Sequence, residues 1–171
     1  ASSDDSAAVI EAISNRDSRV RLIRHEKNRS AFQARRSGIL AARGEHVLFV
    51  DGDDALDPSA ASVAWSKADS SKADLVGFGV RIQRPDGRSA ASFESRLQPR
   101  HQKLAGPRVL TGLFPENQPA SGQLWRYLFR TQLLRDAYAL VPDDLVLMRA
   151  NDVPLMFLAA ALAKNYVSVN D

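Results

Sequence analysis

Residues 46–50 (HVLFV) make an unbroken apolar run that ends at once in Asp51-Gly52-Asp53-Asp54. A run too short for a helix and closed by turn residues reads as a strand buried on both faces. Such a strand needs covering helices, and its flanks supply them. Upstream, Ser30 and Gln33 are spaced as a capping box for a helix over 30–43, with Gly44 where a terminating glycine belongs. Downstream, Asp57-Pro58 reads as an N-cap followed by proline at the first helical position, for a helix to about residue 68. Farther out, Ser3 can cap a helix with Ala8, Val9, Ala12 and Ile13 as its apolar stripe, while 19–24 (RVRLIR) and 74–82 (DLVGFGVRI) read as strands. Helices and strands alternate, which predicts an α/β fold with a parallel sheet and helices on both faces.

The second half is less regular. Residues 83–123 are rich in Arg, Ser, Pro, Gly and Gln, with a turn signal at Pro85-Asp86-Gly87 and one short helix expected at 108–114. A stretch this long without periodicity reads as a functional, loop-rich insert. Residues 123–135 (QLWRYLFRTQLLR) read as an amphipathic helix, 152–163 as an apolar helix with Pro154 near its start, and 166–169 (YVSV) as a final strand.

With 171 residues one domain is expected. The absence of Cys excludes disulfides, thiolate metal sites and a Cys nucleophile. No apolar stretch approaches the roughly 20 residues that span a bilayer. No secretory leader is read at the start. A net charge of +3 without a dense basic stripe gives no expectation of nucleic acid as a partner.

The acidic turn carries the chemistry. Three carboxylates within four positions repel one another unless a cation or exposure relieves them. They fall at the C-terminal end of a strand, where ligands of open α/β sheets collect. Mg²⁺ and Mn²⁺ sites use one or two carboxylates together with substrate phosphates. The alternative is a solvated acidic turn ahead of the Asp57-Pro58 cap. An EF-hand loop is excluded, because Ala55 and Leu56 stand where a ligand and a glycine are needed. Asn151-Asp152 precedes an apolar helix, so either residue reads as an N-cap. Trp125 reads as core packing. Arg126 and Arg130, four apart on one expected helical face, read as a solvated face or as contacts to a phosphate-bearing acceptor. The three His have no metal-ligand spacing.

Residues 28–54 (NRSAFQARRSGILAARGEHVLFVDGDD) resemble the family 2 glycosyltransferases. Asn28, Ala34-Arg35, Gly38, Ala42, Gly44-Glu45 and Asp51-x-Asp53-Asp54 stand in the family's register. Ser30 stands where Gly is usual and Arg36 where Asn is usual. Residues 124–135 (LWRYLFRTQLLR) resemble the family's Trp-x-x-Leu-x-Arg helix, and Asn151-Asp152 lies where many members carry Glu-Asp. On this resemblance the 171 residues are expected to be an interior fragment lacking the first strands and the C-terminal end.

The resemblance implies a GT-A-like, Rossmann-like fold with a mostly parallel sheet. Residues 1–82 would be the nucleotide-binding half, 83–123 an insert, and 124–171 the acceptor-side helices and last strand. It implies an inverting transferase that moves a sugar from a nucleotide-diphosphate donor, UDP by family habit, to a hydroxyl of a saccharide or lipid-linked acceptor. Mn²⁺ or Mg²⁺ would be held by Asp53 directly, with Asp51 facing the ribose or a metal-bound water and Asp54 behind them. Arg35 would bind the donor diphosphate or an acidic wall, its alternative being a surface ion pair. Asp152 would be the general base. Family habit also implies bacterial envelope polysaccharide synthesis in the cytoplasm, with peripheral contact to the inner membrane face. An exposed sheet edge would allow self-association. Two alternatives stand beside this one. One is a catalytically incomplete glycosyltransferase-like binding domain. The other is a haloacid-dehalogenase-like phosphatase, with Asp51 as nucleophile and Asp53 as acid/base.

Overall fold

Val76, Leu128 and Val167 enter one core cluster, while their strand neighbours Leu75, Tyr127, Phe129 and Tyr166 enter another. This period-two alternation buries strands between two layers. The structure is a computed structural model that describes residues 4–83, 86, 90–118 and 122–169. Its sheet has five strands: β1 (His46–Leu48), β2 (Leu75–Gly77), β3 (Lys103–Ala105), β4 (Tyr127–Arg130) and β5 (Asn165–Ser168), in the order β1-β4-β2-β5-β3. The helices are α1 (Ser6–Ser14), α2 (Ser30–Ala41), α3 (Ala60–Ser71), α4 (Ala91–Leu97), α5 (Arg108–Leu113), α6 (Thr131–Ala139) and α7 (Val153–Leu162), with a 3₁₀ turn at Leu124–Arg126.

Helices cover both faces, as expected. On one, Ala64 and Ala68 of α3 meet Val76, Leu128 and Val167. On the other, Phe32 of α2, Val109 of α5, Leu134 and Tyr138 of α6, and Leu155 and Met156 of α7 form the larger core. Tyr138 donates to the Phe32 carbonyl at 3.0 Å, satisfying the buried hydroxyl.

The sheet itself is mixed. β1, β2 and β5 share one direction, but β4 is inserted antiparallel between β1 and β2, and β3 lies antiparallel beside β5. The cause lies in 123–135, which does not form the expected single helix. Tyr127-Leu128-Phe129 is apolar toward both layers and aromatic-rich, which suits a doubly buried strand. Only from Thr131 does helical periodicity bury one face, through Leu133, Leu134, Ala137 and Tyr138.

Other expectations are corrected in the same way. β1 is an edge strand and only half-buried, because β4 covers one of its sides. Residues 19–24 are irregular and tied to α2 instead, through Arg21 to the Ala41 carbonyl at 2.7 Å. The stripe on α1 meets no core, with Val9, Ile10 and Ile13 exposed. Helix α3 starts later than expected. Asp57 still accepts from the Ser59 N–H at 2.8 Å, and with the Ser59 hydroxyl this holds its carboxyl below the usual range. The strand expected over 74–82 is confined to β2. Within 83–123, α4, β3 and α5 form, and α5 matches the short helix expected there. Ser3, and Pro85 and Gly87 of the expected turn, lie outside the described residues.

The capping box does not form. Ser30 opens α2 at φ 72°, its N–H bound to the Asn28 carboxamide oxygen at 2.9 Å, and its buried hydroxyl has no partner among the described residues. The left-handed region costs a non-glycine residue about 1–2 kcal/mol. Glycine, which has no Cβ, takes this conformation without that cost. Ser30→Gly is expected to raise stability by about 1 kcal/mol after the entropy cost of glycine, roughly 2–4 °C in Tm. A lower Tm in thermal unfolding would contradict that account. Gly44 is not a left-handed cap either; α2 ends in the extended Ala42.

Candidate functional site

The site is built by α2 gripping the segment that leads into α7. Gln33, the other half of the expected capping box, donates instead to the carbonyls of Asp143 at 3.0 Å and Leu145 at 2.6 Å. Arg36 donates to the Pro142 carbonyl at 3.1 Å, pairs with the Asp143 carboxylate, and lies 5.7 Å from the centre of the Tyr138 ring. The segment then passes through Ala150 at φ 48°, a strained position for a residue with a Cβ. It places Asn151 and Asp152 opposite Arg35.

Arg35 Nη1 lies 2.6 Å from Asn151 Oδ1 and 2.6 Å from Asp152 Oδ1. Its Nη2 lies 3.5 Å from Asp51 Oδ1. One largely buried guanidinium, 16% exposed, thus joins the turn after β1 to the start of α7. The carboxylates of Asp51 and Asp152 are 42% and 22% exposed, so both keep access to solvent. Asp152 sits at the N-cap of α7, yet its side chain makes no cap hydrogen bond. Pro154 in the first turn removes one of the amides a cap would use, and Arg35 takes the carboxylate instead.

The structure therefore brings Arg35, Asp51 and Asp152 together. Asp53 stays exposed in the turn, where the Asp54 N–H closes on the Asp51 carbonyl at 3.1 Å, and makes no ion pair among the described residues. Among those residues no group of three or more His, Asp or Glu is placed to hold a metal. Asp51 and Asp53 are nevertheless an accessible oxygen-only pair, which suits a hard divalent ion that takes its other ligands from a diphosphate and water.

Sequence reasoning missed the anchoring role of Gln33 and Arg36 and the Arg35–Asn151 contact. The pairing of Gln33, Arg35 and Arg36 with residues more than a hundred positions away leaves no local signal. It also misplaced the two arginines of 123–135. Arg126 lies in the 3₁₀ turn and is buried, while Arg130 ends β4 and pairs with Asp74 at 3.3 Å. Trp125 is half-buried rather than in the core.

Comparison with known proteins bears on the family and the fold. Residues 1–131 match the sequence model of Glycosyl transferase family 2. The chain is 32% identical over 143 residues to the uncharacterized glycosyltransferase EpsJ of Bacillus subtilis (strain 168), covering 83% of this chain and 40% of EpsJ. It is 34% identical over 109 residues to the succinoglycan biosynthesis protein ExoO of Rhizobium meliloti (strain 1021), covering 64% of this chain and 31% of ExoO. Among solved structures, S. aureus TarS 1-349 superposes on 100% of this chain and 47% of its own, with a TM-score of 0.68 at 21% identity. TarS 1-349 in complex with UDP-GlcNAc gives a TM-score of 0.62 at 20% identity, over 99% of this chain and 48% of its own. The chain thus spans less than half the length of these relatives. The α/β fold is that of GT-A glycosyltransferases, and the phosphatase alternative falls. The match over residues 1–131, more than half of the chain, places it in glycosyl transferase family 2.

Proposed function

We propose that the chain carries the donor and base side of an inverting glycosyl transfer, from a UDP-sugar to an acceptor hydroxyl with help from Mn²⁺ or Mg²⁺. The observation that supports this most is the convergence of Asp51, Arg35 and Asp152 at one end of the sheet. The structure of TarS 1-349 in complex with UDP-GlcNAc supports the nucleotide-sugar donor.

In this reading Asp53 is the first oxygen ligand of the ion, and Asp51 faces the ribose or an ion-bound water. When bound, the ion stabilises the negative charge that gathers on the leaving diphosphate. Asp152 accepts the proton of the attacking hydroxyl. A single displacement with no protein nucleophile inverts the anomeric centre. Arg35 holds the Asp152 carboxylate toward the acidic turn, and its charge offsets the repulsion between Asp51 and Asp152. The strained Ala150 and the grip of Gln33 and Arg36 fix the base before substrate arrives. The acceptor is a saccharide or a lipid-linked saccharide, as the succinoglycan biosynthesis relative supports. In the same reading the product is a bacterial envelope polysaccharide made at the inner membrane face. No described helix is long and apolar enough to cross a membrane.

Thermal unfolding with UDP, GDP, CDP and dTDP, each with and without Mn²⁺, tests the donor site. A ligand at about 100 times its Kd adds about 2.7 kcal/mol, or roughly 5–10 °C here. The expected result is a shift with UDP that needs the metal and disappears in Asp53→Ala. A metal-independent shift that survives Asp53→Ala removes the metal assignment. No shift with any nucleotide favours the binding-domain alternative.

A further inference from the structure

Arg126 is the one arginine in the buried core of the described residues, 4% exposed. Its Nη1 donates to Gln123 Oε1 at 3.1 Å and its Nη2 to the Gln98 carbonyl at 3.3 Å. Its Nε has no partner, and no carboxylate pairs with it among the described residues. A buried guanidinium without a counter-charge is costly. The Tyr127 ring, 6.0 Å away, offsets only part of that cost. Burial pulls the Arg126 pKa below its usual value, and the nearby charge of Arg100 pulls the same way.

Arg126 lines a small pocket with room for about one water molecule, some 10 Å³. Arg100, His101 and Tyr166 also line it, as do two glycines that keep it open. A Cβ on Gly77 would lie 2.4 Å from the Tyr166 hydroxyl, and one on Gly112 would lie 2.7 Å from Leu104 Cδ1 and 3.3 Å from His101 Cδ2. Among the described residues the lining holds no carboxylate.

The pocket's lining includes Gly77 at the end of β2, Phe78 after it, and Tyr127 at the start of β4. β1 and β2 both run antiparallel to β4, so the turn after β1, the end of β2 and the start of β4 share one end of the sheet. Gly122, just ahead of the 3₁₀ turn, packs so closely on α7 that a Cβ there would stand 3.1 Å from Val153 Cγ2, next to Asp152.

We infer that this pocket is an oxyanion subsite. One oxygen of a phosphate or carboxylate group on the acceptor enters it and meets the Arg126 guanidinium. The acceptor part of this inference rests on the glycosyl-transfer reading; the anion site does not.

The test is NMR of the wild-type chain titrated with sodium phosphate and, separately, sodium acetate, at ionic strength held constant with sodium chloride. The expected result is saturable shifts of the Gly77, His101 and Gly112 amides and of the Arg126 Nε–H. A response to phosphate alone identifies a phosphoryl group, and one to acetate alone a carboxylate. Arg126→Met is expected to weaken binding about tenfold or more. If that variant does not fold, Arg126→Lys, which keeps the charge but not the Nε–H, serves with the wild-type spectra. The inference is overturned if neither anion gives saturable shifts there, if shifts are confined to the Asp51–Asp53 turn, or if Arg126→Met binds as tightly as wild type. No turnover or nucleotide is involved, so failure here is distinct from failure of the donor reading.

Discussion

Asp152→Asn is expected to lower the rate of sugar transfer by about 10²–10⁴-fold, the range for loss of a positioned general base. The amide oxygen can still accept from Arg35, which sits 2.6 Å from Asp152 Oδ1 in the wild-type chain, so the local fold should hold. Nucleotide- and metal-dependent thermal stabilisation should therefore survive in this variant. Steady-state rates and thermal shifts on the same preparation separate the two effects. A variant that turns over like wild type reduces Asp152 to an anchor for α7.

Arg35→Ala carries the second large effect, on stability and rate together. It leaves Asp51 and Asp152 facing each other with no cation between them, and leaves Asn151 without its donor. Breaking a deeply buried pair costs about 3–5 kcal/mol and an exposed one much less than 1. With both carboxylates in partial contact with solvent, the expected loss is about 1–3 kcal/mol, roughly 3–10 °C in Tm. The transfer rate should fall as well. Adding Asp152→Asn to Arg35→Ala should then cost far less than it costs in wild type, because the base is already misplaced. Additive losses in this double-mutant cycle would show that Arg35 does not act through Asp152. Arg35→Lys should recover part of the stability but little of the rate, since an ammonium cannot serve three acceptors in fixed directions as the guanidinium does.

The layers of this fold were legible where one local pattern had one solution. The apolar run 46–50, the Pro154-marked helix and the final strand all form close to where periodicity puts them. β4 was not legible, because aromatic residues followed by leucines satisfy a helical wheel and a doubly buried strand equally well. Tertiary layers on both sides decided for the strand. The site shows the same division. The acidic turn announces itself by charge density, and the motif register puts Arg35 and Asp152 into play. Their contact is set by Gln33 and Arg36 gripping carbonyls at 142–145, and no side-chain pattern encodes a grip on backbone. The strain at Ser30 and Ala150 is silent for a related reason. It follows from where the chain must go, and the residue that bears it is ordinary.

The inserted strand also governs the order in which this sheet can assemble. His46 pairs with Arg130, Leu75 with Phe129 and, on its other side, with Tyr166. Among the described strands, none lies beside the strand next to it in sequence. Every ladder waits for a loop of several dozen residues to close, which is the topology of a slow folder. Within the described residues, the ladders that β1 and β2 make with β4 form only once β4 has been made. The burden of keeping their apolar faces from other chains then falls on the helices that flank them, α2 and α3.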